Sequence, residues 1–325
     1  IYLIVNKCEN KARREAAIDF YELGLGEPHP ISAMHGTNLG DLLDLIVAAF
    51  PETEAEADDS VKFAIVGKPN AGKSSLLNKL VGKERAIVSP IAGTTRDAVD
   101  TQFEYEGIPL TLIDTAGIRK RGKIDPGVER YSVVRAKKAI ERADVALLMI
   151  DAETGITAQD LHIAGFILDA WKSTIVVVNK WDSIEKDSYT MNYYTEKILY
   201  ELNFMPYVPL LFISALTGQR VEKVLPLALK VQEARLTHIS TSKLNKILRD
   251  ALDAHPAPSK GGRQLKIYYA TQVRSDPPTF LVYVNDHKLM HFSYRRFLEN
   301  QIRAAYEFIG TPIRIVLKGK AKKEK

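Results

Sequence analysis

The sequence predicts an α/β chain: one complete doubly wound domain with a mostly parallel sheet over residues 61–235, part of a second copy before it, and a small α+β domain after it. Three observations lead there. Strand-like apolar runs alternate with helical periodicity between Val61 and Arg235; the order of elements in residues 1–50 recurs inside that domain; and the pattern changes after Arg235.

The chain opens on a strand, Ile1-Tyr2-Leu3-Ile4-Val5, without a methionine. Asn6-Lys7-Cys8-Glu9 follows, then a helical pattern through Phe20 and a strand-like Pro30–Met34. Asn38 is placed to cap a helix from Leu39 to Phe50, with Leu42, Leu43, Leu45, Ile46 and Ala49 as its apolar positions. The same order returns as Ile175–Val178, Asn179-Lys180-Trp181-Asp182, a helix, Leu210–Leu216 and a helix around Val221–Arg235. Residues 1–50 therefore read as the last third of the unit that 61–235 gives entire, and the chain is expected to begin inside a domain. Residues 51–60 carry five acidic side chains and no basic one. Such a segment repels itself and has nothing to bury, which predicts an extended linker.

The complete unit predicts strands at 61–66, near 101–105 and 109–113, and at 145–150, 174–178 and 209–213. Its helices fall at 73–81, about 128–141, 158–170 and 188–202, before the closing one. In the 236–325 domain, Ser240 or Thr241 caps a helix through Leu252. A loop rich in Pro and Gly (255–263) leads to strands at about 265–274 and 279–284, a helix at 293–308 and the strand Ile313–Leu317.

Bulk properties narrow the function classes. No apolar run approaches membrane-spanning length and no leader pattern opens the chain, so the expectation is a cytoplasmic protein without membrane contact. Cys8 is the only cysteine, which excludes an intrachain disulfide. The seven histidines show no metal-ligand spacing with it. A formal net charge of +5 hides a division: residues 235–325 hold 18 Lys/Arg against 7 Asp/Glu, while residues 1–234 are net acidic. A basic module on a mildly acidic body points to a polyanion, most simply nucleic acid.

The motif that carries chemistry is Gly67-Lys68-Pro69-Asn70-Ala71-Gly72-Lys73-Ser74, set between a strand and the helix opening at Ser75. A strand that turns through glycines into a helix N-terminus aims successive N–H groups at phosphates; Lys73 adds a point charge and Ser74 an oxygen for Mg²⁺. Asp114-Thr115-Ala116-Gly117 ends the strand Leu110–Ile113, giving an acid that holds Mg²⁺ through water and a glycine N–H within reach of a γ-phosphate. Thr94 and Thr95 offer a hydroxyl to complete the Mg²⁺ shell. Asn179-Lys180-Trp181-Asp182 supplies a carboxylate that pairs with guanine N1–H and N2–H₂, donors adenine lacks in that arrangement. Asn179 can bridge loops, the Lys180 stem can lie over the base, and an N–H of Ser214-Ala215-Leu216 can meet guanine O6. Four motifs in this order imply a guanine nucleotide site and GTP hydrolysis.

On these residues the 61–235 unit resembles a G domain of translation-factor-related P-loop GTPases. The whole arrangement resembles the bacterial double-G-domain GTPases of the Der, or EngA, family, in which two G domains precede a KH-like domain. The resemblance implies GTP/GDP and Mg²⁺ as ligands and Thr95 as the switch threonine. It implies a second switch from Asp114 through the basic Arg119–Lys123, and base recognition by Asn179, Lys180, Asp182, Ser214 and Ala215. It further implies a role in maturing the large ribosomal subunit, with that subunit or its precursor and rRNA as partners, and a monomeric protein.

Two departures stand out. Asn6-Lys7-Cys8-Glu9 has Glu where the motif has Asp, which puts guanine selection by the first copy in doubt. Ile118 follows Gly117 where some GTPases place a water-orienting glutamine. Related GTPases without that glutamine use K⁺ held partly by a phosphate-loop asparagine, and Asn70 is at the matching place, with loop shaping as its alternative role. Residues 260–263 do not fit the GXXG clamp of RNA-binding KH domains. Tyr268, Tyr269, Phe280, Tyr283, Phe292 and Tyr294 are candidates for stacking, with at least half of them expected in the core. Lys266, Arg274, Lys288, Arg295, Arg296 and Arg303 are candidates for phosphate contacts. The competing reading is a nucleotide-regulated protein-interaction switch, its last domain an internal brace that does not touch RNA.

Overall fold

The computed structural model describes residues 2–49, 59–82, 100–115, 118, 128–260 and 262–319, with side chains of 128–133 and 260 left aside. They fall into two compact units, 1–58 and 59–325.

In the first unit, β1 (Leu3–Val5) pairs in parallel with β2 (Pro28–Pro30), joined through the helix Lys11–Glu15 and a 3₁₀ segment, Ala16–Leu23. The strand expected at Pro30–Met34 lies upstream, because the chain turns after Ile31 and closes a bridge between Ser32 and Thr37. Asn38 does stand at the start of the helix Leu39–Ala48. It sits in the left-handed region (φ 56°), and its side chain donates to Pro30 O at 3.0 Å instead of capping. Of that helix only Leu42 is buried; Leu43, Leu45 and Val47 face outward.

The second unit begins with a six-stranded sheet in the order β4-β5-β3-β6-β7-β8: Thr101–Tyr105, Ile108–Ile113, Val61–Gly67, Val145–Asp151, Ser173–Asn179 and Leu210–Phe212. All neighbours are parallel except the edge strand β4 against β5. Strand period decides the two layers. In β3, Phe63 and Ile65 pack with Leu76, Leu77 and Leu80 of the helix Lys73–Val81 and with Val224, Ala228 and Val231 of the helix Val224–Leu236. Ala64 and Val66 face the helices Val128–Arg142, Ala158–Asp169 and Thr190–Glu201 through Ile140, Ile163, Ile167 and Ile198. Residues buried on both faces make β6 a continuous apolar run; each large side chain contributes about 1.5–3 kcal/mol of transfer free energy.

The C-terminal part is a three-stranded sheet, β11 (Ile267–Ser275), β12 (Pro278–Val284) and β13 (Arg314–Gly319), antiparallel then parallel. Phe280, Val282 and Val284 alternate inward against Leu244 and Leu248 of the helix Thr241–Ala254 and Leu298 and Ile302 of the helix Phe292–Ala305. Ser240 occupies the N-cap position of the first helix without a side-chain cap bond. The Pro/Gly-rich loop contains a small hairpin, β9 (Ser259–Lys260) with β10 (Arg263–Gln264), which the turn residues obscured in the sequence.

This α+β part is joined to the P-loop sheet by buried polar contacts. Arg235, 2% exposed, donates to Asp276 at 2.6 Å and to Trp171 O at 2.9 Å. Thr174 N–H donates to Gly310 O at 2.7 Å, Gly310 N–H to Tyr207 O at 2.9 Å, and Ser173 meets Thr311 at 3.0 Å. Arg303 lies 4.2 Å over the Tyr207 ring and also bonds Glu299, Phe308 O and Thr311 O. Burial pushes the Tyr207 hydroxyl pKa upward. Among the described residues no helix is long and apolar enough to cross a membrane.

Candidate functional site

The site gathers at the carboxyl ends of β3, β5, β6, β7 and β8, where an open parallel sheet places its loops. The phosphate loop leaves β3 at Gly67 (φ 144°) and enters the helix at Gly72 (φ 95°), both conformations that a side chain would strain. There is no room for one either: a Cβ on Gly67 would run into Met149 O and one on Gly72 into the Asn179 amide. Lys73 Nζ donates to Gly67 O and Lys68 O, each at 2.6 Å, which holds the ammonium inside the loop. Asn70 is exposed and left-handed (φ 63°), a conformation asparagine tolerates better than most residues.

Ser74 Oγ donates to Ile118 O at 2.7 Å, so the helix start and the segment after Asp114 are adjacent. Asp114 is itself left-handed (φ 56°), its N–H accepted by Asp100 Oδ1 at 2.9 Å. Asp100 also pairs with Arg142, anchoring β4 to the neighbouring helix. The Ser74 hydroxyl and the Asp114 carboxylate are hard-oxygen donors of the kind that suits Mg²⁺, and Lys73 with the N–H groups of the turn suits a triphosphate. Thr94, Thr95, Ala116, Gly117 and Arg119–Lys123 lie outside the described residues.

Asn179 is the hub. Only 2% exposed, it donates through Nδ2 to Ala71 O and accepts through Oδ1 from Ala215 N–H, each at 2.8 Å, tying the phosphate loop to the last base-facing loop. This realises the bridging expected of it. The Ala215 N–H, one of those expected to meet guanine O6, is directed to Asn179 Oδ1 here. Ser214 is buried and accepts from Thr217 N–H at 3.0 Å; Leu216 is exposed. Asp182 is exposed at the tip of the 3₁₀ turn Trp181–Ser183. Trp181 beneath it is buried against Tyr194 and Phe212.

Lys180 (φ 62°) reaches Asp151 at 2.6 Å and Glu153 at 3.3 Å, and the Asp151 hydrogen bond raises its pKa. Lys68 bonds Thr154 of the same Asp151–Gly155 loop. Sequence reasoning missed Asp151, Glu153 and Thr154. The available signal was an acid ending a seven-residue apolar strand just before a glycine turn.

In the first unit Asn6 Oδ1 accepts from Lys7 N–H at 2.7 Å and Ala33 N–H at 3.1 Å, while Glu9 pairs with Arg13 at 2.6 Å. In the C-terminal part, Phe280 of β12 and Tyr294 of the helix Phe292–Ala305 are core, Tyr283 is half-buried, and Tyr268, Tyr269 and Phe292 are exposed, so two of the six aromatics are core and not the half or more expected: alternation along β11 and β12 turns Tyr269 and Tyr283 to the face away from the helices. Of the six basic candidates, Arg303 is committed to the internal contacts above and Arg295 donates to Ile315 O at 2.7 Å. Both are structural, whereas Lys266, Arg274, Lys288 and Arg296 are exposed.

Comparison with known proteins agrees with this geometry. A family described as "50S ribosome-binding GTPase" matches residues 62–180, and "KH-domain-like of EngA bacterial GTPase enzymes, C-terminal" matches residues 238–318. GTPase Der of Listeria welshimeri is 52% identical over 97% of this chain and 73% of its own length. GTPase Der of Desulfitobacterium hafniense is 53% identical over 98% of this chain and 73% of its own. A solved structure of Era with MgGDPNP and a 16S ribosomal RNA segment covers 80% of this chain and 92% of its own at 25% identity, with a TM-score of 0.42 that is too low to bear on function.

Proposed function

The chain belongs to the GTPase Der family, and from that premise we propose that it is a GTP-driven factor for maturation of the large ribosomal subunit. It binds and hydrolyses GTP in ribosome-related work, with Mg²⁺. The observation that supports the nucleotide site is the Asn179 hub, which ties the phosphate loop to the last base-facing loop, and the match to a family described as "50S ribosome-binding GTPase" supports the large-subunit role.

In this reading Gly67–Ser75 holds the phosphates, with Lys73 exchanging its loop carbonyls for phosphate oxygens. Ser74, Asp114 and Thr95 hold Mg²⁺, which when bound neutralises charge on the β- and γ-phosphates. Thr115, Ala116 and Gly117 line the γ-phosphate; Lys180 covers the base, Asp182 accepts from guanine, and Ser214, Ala215 and Leu216 close its O6 side. Asn70 supplies an oxygen to a K⁺ ion that stands in for an arginine finger; its left-handed backbone supports the loop-shaping role equally.

Residues 1–50 are proposed as the C-terminal part of another G domain, residues 51–60 as a linker, 61–235 as the complete G domain and 236–325 as the KH-like domain. Asn6, Lys7 and Glu9 are then the counterparts of Asn179, Lys180 and Asp182. The surplus of basic residues from Arg235 onward supports rRNA backbone contact in a cytoplasmic, monomeric protein. The buried Arg235 and Gly310 contacts favour a bracing role for one side of the KH-like domain, which is compatible with an RNA-facing side elsewhere.

Three measurements test this. GTP must bind far more tightly than ATP. Turnover should be faster in K⁺ than in Na⁺ at equal ionic strength, with that stimulation lost in Asn70→Ala. Co-sedimentation with large-subunit particles should differ between GDP and a GTP analogue and weaken steeply with salt. Equal ATP and GTP affinity, or particle binding indifferent to nucleotide, would sink the proposal.

A further inference from the structure

The outer face of the KH-like sheet carries an aromatic column that the core does not use. Register sets Tyr269, Tyr283 and Lys318 in one row across β11, β12 and β13. The two rings stack at 4.3 Å between centroids and 12° between planes, and Lys318 Nζ lies 5.5 Å from the Tyr283 centroid. A ring separation close to the strand separation of about 4.8 Å lets the stack form without either side chain leaning. Tyr283 therefore has Tyr269 on one side and Lys318 on the other. Because β11 is one edge of the sheet, Tyr269 ends the column on that side, and it remains 44% exposed although one ring face is covered.

The rest of this face is described by the same rows: Thr271, Leu281 and Val316, then Arg274, Thr279 and Arg314. None is acidic. Arg314 is turned over Trp171 of the G domain at 5.6 Å, so the sheet is covered at that end and open at the tyrosine row. The apolar work of the sheet is done on the opposite face by Phe280, Val282 and Val284.

We infer that this column is a stacking platform for unpaired RNA bases: a base lies on the open face of Tyr269 and extends the stack, while Lys318 meets a neighbouring phosphate. The charge around the face selects the occupant, since the module is strongly basic and the described rows of the face hold no acid to repel phosphate. The shape does as well, because parallel rings in a row match the π-face of any base, at roughly 1–3 kcal/mol per stacked base by alanine substitution. A sheet that presents aromatics to single strands is a known physical solution to RNA binding, distinct from a GXXG clamp. The inference rests on the rRNA reading above and gives it a location.

The test uses the full chain and fluorescence anisotropy with labelled oligouridine and with an RNA duplex of equal length. The unchanged protein should favour the single strand. Tyr269→Ala should weaken oligouridine binding by roughly tenfold and leave the duplex within about twofold. Tyr269→Phe should retain binding, because the ring and not the hydroxyl is at work, and circular dichroism should show that each variant is folded. If Tyr269→Ala binds oligouridine as the unchanged protein does, or loses both RNAs equally, the platform is wrong while rRNA binding through charge stands. If the variant keeps RNA but loses self-association or a protein partner, the face belongs to a protein and the inference is overturned. If the unchanged protein binds neither RNA nor large-subunit particles at low salt, the rRNA reading falls, and the platform with it.

Discussion

The loop after β1 and the loop after β7 are two versions of one structure. Ile31 N–H to Val5 O at 2.9 Å matches Ile213 N–H to Val178 O at 2.8 Å; Cys8 N–H to Ile31 O at 2.9 Å matches Trp181 N–H to Ile213 O at 3.0 Å. Ser32 N–H to Thr37 O corresponds to Ser214 N–H to Gln219 O, both at 3.1 Å, and Lys7 and Lys180 share the left-handed region. What differs is the support. Asn179 spends its second amide bond on the phosphate loop, whereas Asn6 Nδ2 has no partner among the described residues and Asn6 is exposed. Lys180 is held by two acids, and Asp182 lacks an ion pair among the described residues; Glu9 is drawn back onto Arg13. The backbone skeleton is thus local, set by two strands and a turn, while the poise of its functional side chains depends on the rest of a domain.

The largest effect should fall on the carboxylates. Asp182→Asn is expected to weaken GTP binding by about 10²-fold or more, since a charged acceptor facing two donors is lost, and to improve xanthosine-triphosphate binding. Glu9→Gln should change neither by more than about twofold, because its carboxylate is paired with Arg13. Competition against a fluorescent guanine nucleotide reads both; comparable losses would erase the distinction between the copies.

Next come the asparagines. Asn179→Ala leaves Ala71 O and Ala215 N–H unpaired in a region where both residues are fully buried, and should cost about 2–4 kcal/mol in urea unfolding. Asn6→Ala, at an exposed position, should cost less than about 1 kcal/mol. Equal costs would mean that the first loop is as well supported as the second.

The clasp on Lys180 is smaller. Its raised pKa means the Asp151 contact stabilises the folded state at neutral pH and is lost as pH rises through the raised value. Asp151→Asn should therefore lower stability at neutral pH by about 1 kcal/mol, the side chain being partly solvated, and the penalty should fade in strongly alkaline buffer. A penalty independent of pH would assign Asp151 to loop shape through its bond to Glu153 N–H instead.

Much of this was legible from the sequence because it rests on local rules. The helix Lys73–Val81 begins and ends where the glycine loop and periodicity place it, and the elements of 61–235 follow strand and helix periods closely. The failures share a cause. Pro30–Met34 reads as a strand by composition, but hydrogen bonding to Val5 and Thr37 ends the ladder early. Arg295 and Arg303 look like surface charges until helix packing directs them to Ile315 O and Tyr207. Asp151 was invisible as a partner of Lys180 because the two are brought together only by the pairing of β6 with β7.

The smallest expected effect separates an ion pair from a clamp in the first unit. Arg13 meets Glu9 at 2.6 Å and Lys7 O at 3.2 Å, in an i,i+4 arrangement whose side chains are 57% and 33% exposed. At such exposure the pair is solvated and screened, so Arg13→Ala should cost no more than about 0.5 kcal/mol. The local probe is amide exchange at Ala33, whose N–H is held by Asn6 in the loop that Arg13 braces through the Lys7 carbonyl. Protection of Ala33 should fall by less than about threefold in Arg13→Ala, and about 1 M NaCl should produce most of the same change in the unchanged chain. Protection of Ala215, held by the buried Asn179, should respond to neither. A fall of more than about tenfold at Ala33 would make Arg13 a clamp on the base loop. Glu9 would then be held away from a nucleobase by structure, not merely by the length of its side chain.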